Sequence, residues 1–216
     1  MQIGDLQLIG SPSARLEKAL RIIALNLHDE FGRESWIAPP DKSRESCVLS
    51  SFAVRDYMRA LGFKAHTRPV LTLIRADRTE TGLHSLSIGS FDLSALSRDR
   101  PDRWTGHMIT ILPAEGYIID TTLYRSTRDE WRELPGMIAA PRMPPASDAE
   151  VGGLRVLSSL FTKPDETGKQ MTILWLDQPK NTGWRQSDDT KKNRRARVVS
   201  TLVSAFKVLG DKGEHL

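Results

Sequence analysis

Two short apolar runs close together in the sequence constrain the fold of this 216-residue chain more than any other feature. They occupy 107–112 and 117–120, and the loop between them, 113–116, contains a proline and ends in Gly116. Apolar runs joined by a short, glycine-containing loop are typical of a β-hairpin. The chain is therefore predicted to contain an antiparallel sheet.

Helices and further strands are predicted around this hairpin. Apolar residues spaced three and four apart predict a helix with Ser11 as its N-cap and its end near Gly32. A second helix is predicted to begin at Ser46 and Cys47 and to stop at Gly62, because glycine readily adopts the left-handed conformation that ends helices. The other predicted elements are strands at 70–74 and 171–176, a polar stretch at 177–193 and a terminal helix at 197–209. Together these elements predict an α+β fold, with the Cys47 helix packed on an antiparallel sheet that carries 70–74, 107–112 and 117–120.

The composition excludes several classes of protein. A single cysteine excludes an intramolecular disulfide and a structural zinc site of the cysteine-rich kind. There is no apolar run of the roughly 20 residues that a transmembrane helix needs, and no secretory signal is visible at the N-terminus. We therefore expect a cytoplasmic protein without a metal, a cofactor or a membrane partner.

Positive charge is concentrated towards the C-terminus. Residues 151–216 hold 12 Lys and Arg against 7 Asp and Glu, a net charge of +5, whereas residues 1–150 hold 19 against 20, a net charge of −1. Much of the excess lies in the basic run 191–197. Such a run can bind phosphates, but alone it is more typical of a solvated helix start than of a nucleic-acid site. We expect the chain after about residue 190 to be dispensable for chemistry and to capture a substrate or partner.

Three residues in these elements have the chemistry of a catalytic triad: Cys47, His107 and Asp120. Cys47 lies at the predicted start of a helix, where unpaired N–H groups and the helix dipole favour a thiolate and can hold an oxyanion. His107 begins the first strand of the hairpin and Asp120 ends the second. If Leu112 pairs with Tyr117, Asp120 is diagonal to His107 and within side-chain reach. A carboxylate can then orient the imidazole, and the imidazole can deprotonate the thiol.

The helix and the hairpin share a pattern with one known superfamily. The stretch 47–65 begins with the cysteine and ends in Met-Arg-Ala-Leu-Gly-Phe-Lys-Ala. It resembles the nucleophile helix of transglutaminase-like proteins, in the papain-like cysteine-protease superfamily. Residues 106–111 are similar to the histidine strand of that family and 116–122 to its aspartate strand, so the resemblance covers about 45–125.

The resemblance implies a transglutaminase-like (papain-like) fold and thiol-dependent acyl chemistry on an amide or peptide bond. Cys47 would attack the carbonyl carbon, His107 would act as base and then as acid, and Asp120 would fix the imidazole. The substrate would be a protein, a peptide or a small amide. The acyl acceptor would be water or an amine, so peptidase, amidase and transglutaminase-type transfer all remain open. Trp36 and Trp104 are candidates for lining the substrate pocket or for donating an indole N–H to the oxyanion.

In this interpretation residues 1–145 form the catalytic domain with its N-terminal helix, and 146–216 form a C-terminal extension with one strand and a basic terminal helix. The alternative is a non-catalytic transglutaminase-like binding module whose basic tail contacts nucleic acid or a protein partner. Nucleic acid is the less expected partner, because aromatic residues make up only 6% of the chain and give no evident stacking platform.

Overall fold

The chain folds into helices and one large sheet, so the α+β prediction is confirmed. The computed structural model describes residues 1–33, 42–78, 82–91, 104, 106–126, 134–143, 149–161 and 170–211. Within these ranges the helices are α1 (Ala14–Arg33), α2 (Lys42–Glu45), α3 (Cys47–Ala60) and α4 (Ala196–Asp211). The strands are β1 (Gln2–Ile3), β2 (Leu6–Leu8), β3 (His66–Arg78), β4 (Gly82–Ile88), β5 (His107–Leu112), β6 (Tyr117–Asp120), β7 (Met137–Pro141), β8 (Glu150–Val151), β9 (Leu154–Phe161) and β10 (Gln170–Asp177).

The sheet is built around β3, which pairs along both of its edges. The first part of β3 pairs with β5 and the second part with β4, while β10 pairs along the opposite edge. The order of strands is β1-β2-β7-β6-β5-β3-β10-β9-β8, in which β2 and β7 pair in parallel and the other neighbours are antiparallel. The strands predicted at 70–74, 107–112 and 117–120 therefore lie side by side as β3, β5 and β6.

The β5–β6 hairpin has the predicted register. Leu112 pairs with Tyr117, and Thr110 pairs with Ile119. Because side chains alternate between the two faces along a strand, this register places His107 and Asp120 on the same face of the sheet.

That face is concave, because the sheet is strongly curved. β6 and β10 are separated by β5 and β3, which would put them about 14 Å apart in a flat sheet. Even so, Trp175 Nε1 on β10 donates a hydrogen bond of 2.9 Å to Asp120 Oδ2 on β6. Further round, the backbone N–H of Met143 donates to Ser158 Oγ on β9 at 3.1 Å, which links the chain after β7 to the other side of the sheet. The concave face encloses an apolar core that includes Val70, Ile74, Ile109, Ile118, Ile173 and Trp175.

The convex face of the sheet is covered by helices. Helices α1, α3 and α4 pack there, and they share a second apolar core with the outward-facing residues of β5, β6 and β7. Members of this core are Leu20, Leu49, Tyr57, Leu112, Ile119 and Leu202. Among the described helices, none is both long and apolar enough to cross a membrane.

The start of α1 differs from the prediction by two residues. Ser11 was expected to be the N-cap, but the N–H of Leu16 donates to Ser13 Oγ at 3.3 Å, and the helix begins at Ala14. Both serines have a hydroxyl that can cap a helix. Ser13 has this role because its hydroxyl lies three residues before Leu16, at the reach that a cap requires.

The end of α3 follows the prediction. Gly62 has a φ of +86°, a left-handed conformation that costs glycine little. Its N–H donates to the carbonyl of Arg59 at 2.9 Å, and the N–H of Phe63 donates to the carbonyl of Met58 at 3.0 Å. These two bonds form a Schellman motif, which satisfies carbonyl groups at the end of the helix.

The segment after residue 145 departs from the prediction in two ways. It forms three strands, β8, β9 and β10, rather than one, and β10 pairs with the central strand β3. Its helix α4 is part of the packed fold, because Val198 and Leu202 are buried in the convex core against α1 and α3. The net charge that suggested a tail does not show which residues are exposed, whereas the apolar side of α4 determines where it packs. Truncation near residue 190 would therefore uncover this core.

Candidate active site

Cys47 is the first residue of α3, and its side chain is half-buried. Ser46 is the N-cap: the N–H of Leu49 donates to Ser46 Oγ at 3.2 Å, and the Ser46 hydroxyl donates to Asp189 Oδ2 at 2.5 Å. N–H groups in the first turn of a helix have no partner within the helix and lie at the positive end of its dipole. Cys47, as the first residue of α3, therefore lies at the end of the helix where such groups are found.

Two reciprocal hydrogen bonds fix α3 against β5. The Ser51 hydroxyl donates to the carbonyl of Met108 at 2.7 Å, and the Thr110 hydroxyl donates to the carbonyl of Ser51 at 3.0 Å. All of these groups are buried. Because Ser51 lies one turn after Cys47, and Met108 directly follows His107, these bonds set the position of the thiol along the strand that carries the imidazole.

His107 and Asp120 form a fully buried pair. His107 Nε2 lies 2.9 Å from both carboxylate oxygens of Asp120, and the two side chains are only 1% and 0% exposed. They project from the concave face, whereas α3 packs on the convex face. His107 is nevertheless the first residue of β5, so its ring lies at the end of the sheet beside the start of α3. There, Cys47 Sγ is 3.9 Å from the carbonyl oxygen of Gly106.

The Cys47 thiol also interacts with His107 and contributes, after Asp120, to the raised pKa of this histidine. Burial alone lowers the pKa of His107, but the Asp120 charge, together with hydrogen bonds to Asp120 and Cys47, raises this pKa to about 10. His107 therefore keeps its proton at neutral pH.

Two more groups hold the Asp120 carboxylate. Trp175 Nε1 donates to Oδ2 at 2.9 Å, and the backbone N–H of Thr122 donates to Oδ1 at 3.3 Å. Each oxygen thus accepts one bond besides the one it shares with His107. Trp175 was missed by the sequence analysis because its role depends on the curvature of the sheet. The apolar pattern predicts the strand that carries Trp175, but not that its indole reaches β6.

One of the two tryptophans proposed for the pocket lies beside this site. Trp104 packs with Cys47 against a small apolar cluster, formed by Val48, Phe52 and Met108. Its indole N–H donates to Asn181 Oδ1 at 2.6 Å and is therefore not free to bind an oxyanion. Trp36 lies outside the described residues. Asn181 belongs to the stretch predicted only as polar, and no sequence signal identified it.

Part of the basic run is used inside the protein. Arg195 is only 2% exposed, and its guanidinium donates to Asp56 Oδ2 on α3 and to the carbonyl of Thr190, both at 2.7 Å. Arg194 lies 3.5 Å from Asp189, the residue that accepts from Ser46. These contacts hold the segment before α4 against the helix that carries Cys47. Phosphate binding by the exposed remainder of the run stays a prediction.

A buried histidine, His28, links two helices to the residue that follows Asp120. Its Nδ1 accepts from the Ser43 hydroxyl at 2.9 Å, and its Nε2 donates to the carbonyl of Thr121 at 3.0 Å. It thereby joins α1 to α2 and to the residue that follows Asp120. Burial lowers the pKa of His28 to about 4, so the ring is neutral at pH 7. The sequence gave no reason to distinguish this histidine from others on a helix.

Acidification should destabilise the fold through His28. An ordinary histidine of the unfolded chain binds a proton near pH 6.5, whereas His28 in the fold does so only near pH 4. Its contribution to stability is therefore complete above pH 6.5 and falls as the pH is lowered towards 4, by at most about 3 kcal/mol. Urea unfolding at pH 7 and pH 4.5 measures this fall. His28→Gln, which cannot titrate, should show a smaller fall, and an equal fall in both proteins would contradict the assignment.

The chain was also compared with known proteins. No protein-family model, no curated protein and no solved structure matches it. The chemistry of the site is therefore argued from its own geometry.

Proposed function

We propose that this chain is a cysteine-nucleophile hydrolase or acyltransferase of transglutaminase-like (papain-like) fold, and that it acts on an amide or peptide bond. The observation that supports it most is the environment of His107, which pairs with Asp120 through Nε2 and whose pKa is raised by Asp120 and by the Cys47 thiol. A histidine whose role is only to stabilise the fold does not require a thiol at the start of a neighbouring helix, so the presence of Cys47 favours a chemical role for His107. The same three groups provide a nucleophile, a proton carrier and an orienting carboxylate.

The first half of the proposed reaction forms an acyl-enzyme. The Cys47 thiolate attacks the carbonyl carbon of the amide, and the oxygen gains the negative charge. The N–H groups at the start of α3 stabilise this oxyanion. The protonated His107 then gives its proton to the leaving nitrogen, the C–N bond breaks, and a thioester to Cys47 remains.

The second half returns the enzyme to its starting state. Neutral His107 removes a proton from the acceptor, which is water in a hydrolase or an amine in an acyltransferase. The acceptor attacks the thioester carbonyl, and the Cys47 thiolate leaves. Throughout, Asp120 holds the imidazole and stabilises its protonated form, while Trp175 and Thr122 hold Asp120.

The reactivity of Cys47 tests this proposal. Because the chain has a single cysteine, intact mass reports directly on its alkylation. With iodoacetamide at pH 7, we expect the wild type to react at least about tenfold faster than His107→Ala, since the variant lacks the imidazolium that stabilises the thiolate. His66→Ala is the matched control, because His66 is an exposed histidine of β3 that pairs with Ile111, at the far end of β5 from His107.

The expected result for this control is a wild-type rate. If the wild type and His107→Ala react equally, and no faster than a free thiol, Cys47 is not activated. That result would favour the alternative of a non-catalytic binding module.

A further inference from the structure

The indole of Trp104 lies against the backbone next to the proposed triad. At Gly106, a Cβ would collide with the Trp104 ring and would lie 2.8 Å from Asn181 Nδ2. Glycine is therefore required at this position, because the indole and the amide both pack on its Cα. Gly106 in turn precedes His107, and its carbonyl oxygen is 3.9 Å from Cys47 Sγ.

A chain of buried amides fixes the orientation of this indole. Trp104 Nε1 donates to Asn181 Oδ1 at 2.6 Å, Asn181 Nδ2 donates to Gln178 Oε1 at 3.3 Å, and Gln178 Nε2 donates to the carbonyl of Ser90 at 2.7 Å. Asn181 is 7% exposed and Gln178 is 1% exposed. Since Asn181 Nδ2 is held by Gln178, its oxygen must face Trp104. Loss of this oxygen would leave a mostly enclosed indole N–H without an acceptor, which is costly.

The indole is also part of the surroundings of the thiol. Trp104 packs on the same apolar cluster as Cys47, formed by Val48, Phe52 and Met108. These three residues are buried, whereas Trp104 is only half-buried. The exposed part of the indole is therefore an apolar surface beside the cluster that Cys47 also contacts, and a bound acyl group can contact this surface.

We propose that Asn181 is a positioning residue, which holds Trp104 as a rigid apolar wall of the thiol site, and that this wall selects acyl groups with an apolar side chain. The inference rests on the proposed function, since it names the class of acyl group for the same site. Asn181 acts through Trp104 on binding of the acyl group. It contributes nothing to the ionisation of the Cys47–His107 pair, because it contacts neither of these side chains within the described structure.

Alkylation by two matched chloromethyl ketones tests the proposal. One is derived from N-acetylphenylalanine and the other from N-acetylglycine, so they differ only in the side chain. Each alkylates Cys47 with loss of chloride, and the dependence of the rate on probe concentration separates the half-saturation constant from the limiting rate. The wild type should bind the phenylalanine probe about tenfold more tightly than the glycine probe, the value of a well-packed apolar side chain.

Variants of Asn181 and Trp104 should then show whether Asn181 positions the indole or whether its loss damages the site in general. Trp104→Phe keeps an aromatic ring but lacks the N–H. This variant and Asn181→Ala should each raise the half-saturation constant of the phenylalanine probe about tenfold. The half-saturation constant of the glycine probe should rise less than about twofold in either variant. The double variant should be no worse than either single one, because both remove the same bond. Asn26→Ala is the control, because among the described residues the Asn26 amide donates within α1, to the carbonyl of Ile22.

The outcomes distinguish this inference from the proposed function. A preference for the phenylalanine probe that is unchanged in Asn181→Ala would overturn the inference, as would additive effects in the double variant. A fall of about tenfold in the iodoacetamide rate of Asn181→Ala would also overturn the inference, because it would show that the substitution damages the thiol itself. If instead the wild type and His107→Ala alkylate equally, the proposed function is wrong. The half-saturation constants would still show whether Asn181 holds the wall.

Discussion

Replacing Cys47 by Ser is expected to abolish acyl transfer while leaving the fold intact, with a fall in turnover of at least about 10³-fold. Serine is close to cysteine in size, and Cys47 is half-buried with room for either side chain. A hydroxyl is far less acidic than a thiol, so the protonated His107 cannot hold it as the anion. Hydrolysis of the p-nitrophenyl ester of N-acetylphenylalanine measures the loss, and the mass of the acyl-enzyme shows where the acyl group is attached.

The comparison needs proof that the variant is folded. Thermal unfolding of Cys47→Ser should match that of the wild type, because the helix start keeps its Ser46 cap and the Ser51–Thr110 bonds to β5. A folded Ser variant that hydrolyses the ester at the wild-type rate would show that the sulfur is not the nucleophile.

Replacing Asp120 by Asn should slow the reaction by about 10²–10⁴-fold, with little change in structure. A carboxylate only accepts hydrogen bonds, and here it accepts from His107, from Trp175 and from the Thr122 N–H. An amide has one oxygen and one NH2 group. In one orientation its NH2 faces the Trp175 indole, and in the other it faces the Thr122 N–H, so two donors meet in either case.

The same change has a spectroscopic signature. The Asp120 charge is the principal group that raises the pKa of His107, so an NMR titration of Asp120→Asn should give a lower pKa for this ring. Trp175→Phe removes one donor to Oδ2 but keeps the Asp120 charge, so it should change the pKa of His107 much less than Asp120→Asn does. If the pKa of His107 were unchanged in Asp120→Asn, the carboxylate would not be the group that holds the imidazolium.

Local sequence signals predicted the elements that carry the site. The four-residue loop between the two apolar runs set the pairing of Leu112 with Tyr117, and this register placed His107 and Asp120 on one face. The start of α3 at Cys47 and its end at Gly62 followed from capping chemistry, which involves residues close together in sequence. These predictions succeeded because each depended on neighbours within a few positions.

The groups that support the site could not be predicted in this way. Trp175 reaches Asp120 only because the sheet curves, and the curvature results from the packing of many strands. Asn181 and Arg195 lie in a segment whose polar composition suggested exposure, yet both are buried by partners distant in sequence. Polarity indicates that a residue needs hydrogen-bond partners, but it does not show whether water or protein provides them.

The position of β10 along the chain also separates in time the synthesis of Cys47, His107 and Asp120 from the synthesis of the residues that hold them in place. Synthesis proceeds from the N-terminus, so Cys47, His107 and Asp120 all emerge from the ribosome before the strand that carries Trp175, and Asn181 follows that strand. A growing chain thus has its thiol and imidazole before the indole that orients the carboxylate and before the amide that holds Trp104. In the proposed mechanism, the new protein acquires its full reactivity only when β10 has paired with β3.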